Sequence, residues 1–569
     1  MILPKKGFII VGLTTFFLSV VASAVPDAGS LLRDTQQSLP PEAPALEAPL
    51  KTIQAPPKKQ VGSGPIITVT KFVFSGNAHV PDAELQVALK PYIGQKLSPS
   101  ELKQLTNVIA TLYRKKGLLA QVTLSKQKVK KGVVHIVIVE GKLGKLTLET
   151  REKTLQVQKK ILQNILNTAK IPTGIVNMAA LQSAIQIIED YPGVSAVGIL
   201  APGSVPGSTD VLVRVSNTPL VFGTFRTDNF GSRSTGYYRG VGLVSIDSPL
   251  HRGEQWQTQV AITDGSQYGR FSVSFPLGYN GTRTSLYTSA LHYTLGTPFK
   301  ALQGNGRARV FGGDITRPVV KSNTYNLRVT GSLERKYYQD EQLAIETDNK
   351  QDWLGIFQVG WDKTDHWWGR GISVFNVALG AGHLNLAHNQ ADLSTDSITT
   401  RRQGYFKKVN YSVGRSQNIT SNSSLWMSVA GQKSFKNLDS SEKFSLGGPM
   451  AVRAYPVGEA SGDSGVIATA EWRYQVGAHI QGATFFDYGR ITQNNALWDG
   501  WNADHPAIGN TYALQGVGAG LRYFKAGSFD VSGQAAIRLG DNPAEDTQGK
   551  DNDGTHLPLR VWAYFTKYF

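Results

Sequence analysis

Between Gln255 and Ile262 the chain alternates strictly. Trp256, Thr258, Val260 and Ile262 occupy one parity; Gln255, Gln257, Gln259 and Ala261 occupy the other. "RFSVSFPL" repeats the theme, with Phe271, Val273, Phe275 and Leu277 set against Arg270, Ser272 and Ser274. In "YNLRVTGSLE", Tyr325, Leu327, Val329 and Leu333 are set against Arg328, Thr330 and Glu334, and "LWMSVAGQ" and "VIATAEWRY" follow suit. A period of two puts successive side chains on opposite faces of a strand. Such segments recur after Pro219, separated by turns or polar loops, and helical periodicity nearly vanishes. A soluble sandwich or propeller buries its apolar face in a core, whereas a membrane barrel turns that face to lipid and its polar face to a lumen. A stretch of about 350 residues is large for one sandwich, and rows of Arg, Gln, Ser and Glu suit a wet interior. The pattern predicts an all-β transmembrane β-barrel over residues 217–569. In the closing segment "RVWAYFTKYF", Lys567 shares a face with Phe565 and Phe569 and is expected to snorkel at the membrane interface.

Upstream the period changes. "ITVTKFVFSGN" reads as a strand ending in a Gly-Asn turn, and "PDAELQVALKPY" places Leu85, Leu89 and Tyr92 at helical spacing. "SPSELKQLTNVIATLYRKKG" predicts a strong helix: Ser98 and Glu101 fit a capping box, Pro99 suits the first turn, and Leu102, Leu105, Ile109 and Leu112 make one stripe. Two strands follow, "LLAQVTLSKQKVKKG" and "VVHIVIVEG". The same β-α-α-β-β order then returns more loosely. "LQVQKKILQNILNTAKI" carries Val157, Ile161 and Ile165, and "NMAALQSAIQIIEDYPG" carries Leu181, Ile185 and Ile188. Residues 66–141 and 142–216 therefore read as two copies of one α+β module.

The N-terminus carries an address. Lys5 and Lys6 precede the apolar run "GFIIVGLTTFFLSVV" and the A-x-A site Ala22-Ser23-Ala24, so residues 1–24 are expected to be a signal peptide. "DAGSLLRDTQQ" predicts a short helix within residues 25–38, stopped by Pro40 and Pro41. Residues 39–65 read as an extended, Pro-rich linker. The chain has no Cys, which excludes a disulfide framework, a thiolate nucleophile and a Cys-based metal site. Its formal net charge of +17 could suit nucleic acid, anionic lipid or an acidic partner. The run "SKQKVKKG" (Ser125–Gly132) reads instead as a Lys-rich hairpin protecting an edge strand, so no nucleic acid is expected. The ten His show no metal-ligand spacing and no phosphate-cradling Gly loop is present, so neither metal nor cofactor is predicted.

"VRAYPVGEASGDSG" (Val452–Gly465) raises the question of chemistry. Gly462-Asp463-Ser464-Gly465 looks like part of a serine-protease signature, but Val466 follows and spacing nominates no His partner. A tight, Gly-permitted turn returning a loop to its strand is the expectation, and no enzyme activity is predicted. From the residues alone Arg453 reads either as a solvated loop arginine or as a specific partner of a carboxylate.

The order of parts resembles the two-partner secretion outer-membrane transporters (TpsB type), in the superfamily that includes the barrel insertase BamA. "FSGN", the "YRKKG" helix end and "VEGKLGKL" sit where signatures of POTRA domains sit. "RTDNFGSRSTGYYRG", with Asp228, Asn229 and Gly231, resembles the barrel opening of that family. "LGGPMAVRAYPVGEASGDSGV" resembles its VRGY-type loop, with Ala454 where the family has Gly, and "FFDYG" (Phe485–Gly489) resembles its F-x-D-x-G strand. The resemblance implies a barrel of 16 antiparallel strands in the outer membrane of a Gram-negative bacterium, with the modules in the periplasm. It implies a helix near Asp27–Gln37 plugging the lumen, and a loop around 445–465 folded inward. There Arg453 is expected to pair with Asp487, supported by Val452, Ala454, Tyr455, Phe485 and Gly489. The implied partners are a large TpsA-type exoprotein recognised by its N-terminal secretion domain, outer-membrane lipid, and the barrel-assembly machinery during biogenesis. The client is expected to pass unfolded and without ATP. A barrel-assembly insertase is the alternative, and a porin or surface-binding protein fits the two modules poorly.

Overall fold

The computed structural model describes residues 25–39, 66–116, 118, 120–124, 132–169, 178–205, 208–503 and 508–569. The expected signal peptide, the linker from residue 40 to 65 and the basic turn at 125–131 lie outside the described residues.

Helix α1 (Ala28–Ser38) starts where its cap dictates. The Ser30 amide donates to Asp27 Oδ1 at 2.8 Å and the Asp27 amide donates to Ser30 Oγ at 3.0 Å, satisfying two of the amides a helix start leaves unpaired. In the first module a strand at Lys71–Ser75 leads to α2 (Asp82–Leu89) and α3 (Pro99–Lys115), then to strands Ala120–Leu124 and Val133–Glu140. The Ser98–Glu101 cap forms, with the Ser98 amide 2.7 Å from Glu101 Oε2. The first and last strands pair in parallel, and Phe72, Leu85, Leu105, Ile109, Tyr113 and Ile136 fill the space beneath the helices. Tyr113 donates to Glu140 Oε1 at 2.8 Å. Burial raises the affinity of Glu140 for its proton, but the bonds from His79 and Tyr113 outweigh it and hold the carboxyl below its ordinary range.

The second module repeats this order: strand Lys142–Thr150, α4 (Lys159–Asn167), α5 (Met178–Glu189), strands Val194–Pro202 and Ser208–Asn217. Two details depart from the sequence pattern. Helix α4 begins only at Lys159, because the Gln158 amide donates to His251 O of a barrel turn at 3.0 Å. Its buried face is Leu162, Ile165 and Leu166, with Ile161 half-buried. Helix α5 buries Leu181, Ala184, Ile187 and Ile188; Ile185 is half-buried with its Cδ1 against Gly198, and Ile187 is added to the buried face because it also meets the barrel at Gly281.

The rest closes into a barrel whose strands pair antiparallel in chain order. These are β1 (Val221–Asp228), β2 (Arg239–Asp247), β3 (Gln255–Ile262), β4 (Ser266–Leu277), β5 (Thr282–Thr294), β6 (Asn305–Lys321), β7 (Tyr325–Gln342) and β8 (Ile345–Asp365). They continue as β9 (Gly371–Asn385), β10 (Gly404–Asn418), β11 (Ser423–Ser434), β12 (Ser464–Val476), β13 (Ile480–Thr492), β14 (Thr511–Lys525), β15 (Phe529–Arg538) and β16 (Leu559–Tyr568). Closure removes every sheet edge, the condition for a sheet to cross lipid. The outward parity is apolar: Leu286, Phe311, Ile315, Leu333, Phe357, Leu379, Val413, Val429 and Leu521 are exposed. The inward parity carries buried Asp, Lys, Arg and Gln. The second module grips the turns at one end. Lys321 Nζ lies 2.6 Å from Asp190 Oδ2, Tyr191 donates to Gly278 O at 3.4 Å, and Ser248 donates to Pro192 O.

Candidate functional site: the occupied lumen

Two segments enter the barrel. One is α1; the other is the connection between β11 and β12, residues 435–463. Its inner part returns a short apolar cluster, Leu446, Val452, Ala454 and Tyr455, onto Ile491, Leu514 and Ala536 of the wall. Two glycines make that approach possible. A Cβ at Gly489 would lie 2.9 Å from Val452 Cγ2, and one at Gly516 would lie 2.6 Å from Ala454 Cβ. Arg453 then meets Asp487 side-on: Nε is 2.8 Å from Oδ2 and Nη2 is 2.9 Å from Oδ1, and the Arg453 amide also donates to Oδ2 at 3.2 Å. The planar fork matches the carboxylate, which is why Arg rather than Lys suits the position. Sequence reasoning missed the rest of the nest. Arg453 Nη1 reaches Glu471 Oε2 at 2.6 Å and Gln534 Oε1 at 3.2 Å, and its guanidinium covers Phe485. Trp562 Nε1 donates to Arg453 O at 2.7 Å. Strands β12, β13, β15 and β16 thus converge on one loop residue.

The Gly-Asp-Ser-Gly segment differs from the expected turn. Neither Gly462 nor Gly465 takes a positive φ; the left-handed residue is Ala460 at φ 54°. The glycines are there for space, since a Cβ at Gly462 would lie 2.4 Å from Thr492 O. Asp463 is a buried clamp: it accepts from the Leu438 amide at 3.0 Å and the Asn495 amide at 2.7 Å. Ser464 Oγ accepts from the Ser434 amide at 3.0 Å, a strand-end contact. Farther along the same loop, Glu459 accepts from Asn542 Nδ2 at 3.0 Å and from the Asn552 amide at 2.9 Å, tying the loop to the β15–β16 connection. Burial, with Asp551 nearby, pushes the Glu459 carboxyl up to about 7.

Helix α1 uses two faces. Ala28, Leu31 and Leu32 pack on Val241, Ala261, Tyr268, Leu291, Tyr293 and Val310 of the wall. The other face meets charge. Lys350 Nζ, fully buried, lies 3.1 Å from Asp27, 2.5 Å from Asp348 and 3.0 Å from Asp439. Asp340 accepts from the Ala28 amide at 2.8 Å. Asp27, Asp340 and Asp348 come close enough to hold a cation, and the Lys350 ammonium already occupies that role. Arg33 donates to Ser440 O at 2.7 Å and Ser461 Oγ at 3.1 Å, so the helix and the inward loop hold each other. Their approach needs Gly29: a Cβ there would sit 2.9 Å from Ser441 Cβ. Burial raises the proton affinity of Asp27, yet Lys350 and the bonds from Ser440 and Ser30 hold its carboxyl below the usual value. A cavity of about 410 Å³ remains beside the helix, lined by Arg33, Gln36, Glu334, Lys336, Lys408 and Glu442.

The barrel-opening residues form the seam. Strands β1 and β16 pair over Thr224–Asp228 against Tyr564–Tyr568, and Gly223 and Phe569 exchange two further backbone bonds at 2.9 Å and 3.1 Å. Asn229 extends that ladder with its side chain: Nδ2 donates to Val561 O at 2.8 Å and Oδ1 accepts from the Ala563 amide at 2.8 Å. A Cβ at Gly231 would fall 2.0 Å from Gly236 O. Asp228, buried, sits between Arg226 and Arg239, at 2.9 Å and 2.8 Å. Arg239 also donates to Ser38 Oγ at 2.6 Å, so the tail of α1 is wired to the seam. The signal for this network was present as period-two charge: "DNKQD" places Asp348, Lys350 and Asp352 on one parity. Which loop or helix residue answers each charge was not readable.

Known proteins share this architecture. The family model of haemolysin secretion/activation protein ShlB/FhaC/HecB matches residues 207–523, more than half of the chain, and the ShlB-type POTRA domain matches residues 67–141. The heme/hemopexin transporter protein HuxB of Haemophilus influenzae is 26% identical, covering 92% of this chain and 93% of its own length. The outer membrane transporter CdiB of Escherichia coli is 24% identical, covering 89% and 86%. Among solved structures, CdiB from Escherichia coli superposes with TM-score 0.66 at 19% identity, covering 95% of both chains. BamA from Haemophilus ducreyi, lacking POTRA domains 1–3, superposes with TM-score 0.52 at 11% identity, covering 89% of this chain and 100% of that one, a likeness of fold alone. The chain belongs to the haemolysin secretion/activation protein ShlB/FhaC/HecB family: it is a two-partner secretion transporter in the outer membrane of a Gram-negative bacterium, with its POTRA region in the periplasm.

Proposed function

We propose that the chain carries an unfolded TpsA-type exoprotein from its POTRA modules through the barrel, and that the two lumen segments are its gate. On this reading residues 1–24 are a removable leader, 25–38 a plug, 39–65 its tether, 66–141 and 142–216 the two modules, and 217–569 the barrel. The observation that carries it is the seating of α1: a capped, amphipathic helix held in the lumen by Lys350, Asp340, Ser440 and Arg239, with nothing covalent fixing it there. A tether of about 25 residues would, if extended at ~3.1 Å each, span a domain-sized distance, enough for the helix to leave. The client's N-terminal secretion domain is received at the module sheets, whose outer strands, Ala120–Leu124 and Val194–Pro202, pair on one side only among the described residues and can accept an added strand. Vectorial folding outside the cell supplies the drive. Arg453 and Asp487 lock the inward loop, and Val452, Ala454, Tyr455, Phe485 and Gly489 shape its seat. The bond set around Arg453 supports this. Breaking a buried pair costs about 3–5 kcal/mol, since the remaining charge is stranded.

The test is co-expression with an exoprotein of the class, scoring exoprotein in the medium and, separately, assembly of an unrelated outer-membrane protein in cells depleted of the resident insertase. Secretion without rescue of assembly is expected; rescue without secretion would make the chain an insertase. Arg453→Glu is expected to abolish secretion while the barrel still inserts, and full secretion by that variant would refute the lock.

A further inference from the structure

We propose that the outer wall of β6–β11 is a binding site for a bisphosphorylated glycolipid of the outer leaflet, of the lipid A class. In its half away from the periplasm five cations stand on the outward parity: Arg307 and Arg309 on β6, Arg335 on β7, Lys407 on β10 and Lys433 on β11. Their height follows from the turns at the periplasmic end. Each lies roughly 10 to 14 residues along its strand from that end, which at ~3.3 Å per residue and a tilt of ~40° is about 25–35 Å. An apolar band about 25 Å tall ends at that level, so the five cations sit where the outer-leaflet head groups begin. The band below them is built from Ile315, Leu333, Phe357, Leu379, Val409 and Val429.

None of the five makes an ion pair among the described residues. Arg307 donates to Gln339 Oε1 at 2.6 Å; Arg335 donates to Tyr337 OH at 3.1 Å and to Gln351 Oε1, and lies 4.4 Å from the Trp353 ring centroid. These bonds orient the guanidinium groups and leave their charge unanswered. The contrast with the inward parity is direct. Lys408, the neighbour of Lys407, has Glu442 at 2.6 Å. Among the described residues, the outward face of β6–β11 carries no carboxylate between the Glu341–Glu346 pair at the far tip and Asp365 at the periplasmic end.

The layout suits two phosphates rather than one. Arg307, Arg309 and Arg335 form one cluster: Arg309 faces Tyr337 across the ladder, so Arg335 is its diagonal neighbour at about 7–8 Å. Lys407 and Lys433 stand in the same relation across Val409. Three strand spacings, about 14 Å, separate the clusters, a span that a disaccharide phosphorylated at both ends can bridge. Trp353 on β8, His383 on β9 and Tyr405 on β10 run alongside the clusters; Trp353 and Tyr405 are exposed, and His383 meets Tyr405 edge to face with ring centroids 4.6 Å apart, so exposed aromatic surface adjoins both clusters for a sugar to pack on.

The experiment uses the purified full-length chain in detergent, titrated with bisphosphorylated lipid A, fully dephosphorylated lipid A and phosphatidylglycerol, with bound lipid counted by native mass spectrometry. The bisphosphorylated form is expected to bind at least about tenfold more tightly than the other two, in a salt-dependent way. Arg309→Gln/Arg335→Gln and Lys407→Gln/Lys433→Gln should each lose about that factor, while Arg317→Gln, on the same face of β6 near its periplasmic end, should not. Equal binding of the dephosphorylated lipid, or double variants that bind as the parent does, would overturn the site. Phosphatidylglycerol binding as tightly would replace it with a generic anionic interface. The lipid series on the parent chain decides the matter even if a variant fails to insert.

Discussion

Replacing Lys350 by Met separates a plug held by charge from one held by shape. Lys350 is fully buried and its ammonium is the common partner of Asp27 on α1, Asp348 on β8 and Asp439 on the inward loop. Methionine keeps most of the volume and removes the charge, leaving three carboxylates facing one another. Stranding buried charge in this way costs about 3–5 kcal/mol. Asp348 is fixed to the wall, so the relief open to the molecule is for Asp27 to leave with its helix. If about 3 kcal/mol falls on that equilibrium, the open population rises roughly 100-fold. Asp27→Asn is the informative partner. It leaves Lys350 two carboxylates and removes one charged hydrogen bond, worth about 1.5–3 kcal/mol at most, part of which the amide oxygen retains. The assay is the open-time fraction of the full-length chain in a planar bilayer. Lys350→Met should open far more than Asp27→Asn, and the double variant should open less than Lys350→Met alone, because one stranded carboxylate has gone. That sign of non-additivity is the signature of charge. If Asp27→Asn opens the pore as much as Lys350→Met, or the double variant opens most of all, the helix is not held by the Lys350 cluster.

The seam should respond to Asn229→Ala: losing two hydrogen bonds to the β16 backbone should lower the barrel's thermal midpoint by the equivalent of about 1–2 kcal/mol, read by heat-modified migration, and an unchanged midpoint would remove Asn229 from the seam. The clasp between the two extracellular connections should depend on pH. Glu459 has its carboxyl raised from 4.5 to about 7 in the folded chain, so its contribution is complete below pH ~4.5 and is lost as pH rises through ~7. Stability should therefore fall by up to about 3 kcal/mol between those limits, and Glu459→Gln should flatten that part of the profile; an identical pH profile in the variant would contradict the assignment.

The fold was readable because its signals are local and periodic. Alternation along Gln255–Ile262 or Tyr325–Glu334 states which face of a strand is wet, and the Ser98–Glu101 cap marks where α3 begins. The departures come from contacts distant in sequence. Helix α4 starts late because a barrel turn takes the Gln158 amide, and α5 buries Ile187 in addition to the expected stripe because the barrel lies against it at Gly281. Motif resemblance nominated Arg453 and Asp487, which the structure brings together, but could not supply Glu471, Gln534 or Trp562, each on a different strand. The glycines of the Gly-Asp-Ser-Gly segment invited a conformational reading, and the actual constraint is steric. Space is a property of neighbours, which the local sequence does not contain.

The mixture of forces at α1 suits the proposed role of a part that both stays and leaves. Burying Leu31 and Leu32 against the wall contributes about 1.5–3 kcal/mol each, which alone would hold a helix anywhere apolar surface was offered. A buried ion pair adds little net stability, since the desolvation it suffers on docking roughly offsets the attraction it gains. What it adds is position: Lys350, Asp340 and Arg239 admit only a helix that brings Asp27, an amide at Ala28 and Ser38 to those points. Once the helix withdraws, water solvates both partners and little of the electrostatic term remains to be overcome. Holding the lumen shut by apolar contact alone would demand a larger apolar face, and every added Å² would raise the free energy needed to open it. On the proposed gating role, a helix located by charge and held by two leucines would be specific while seated and only several kcal/mol from release, a gap that client binding at the modules could supply.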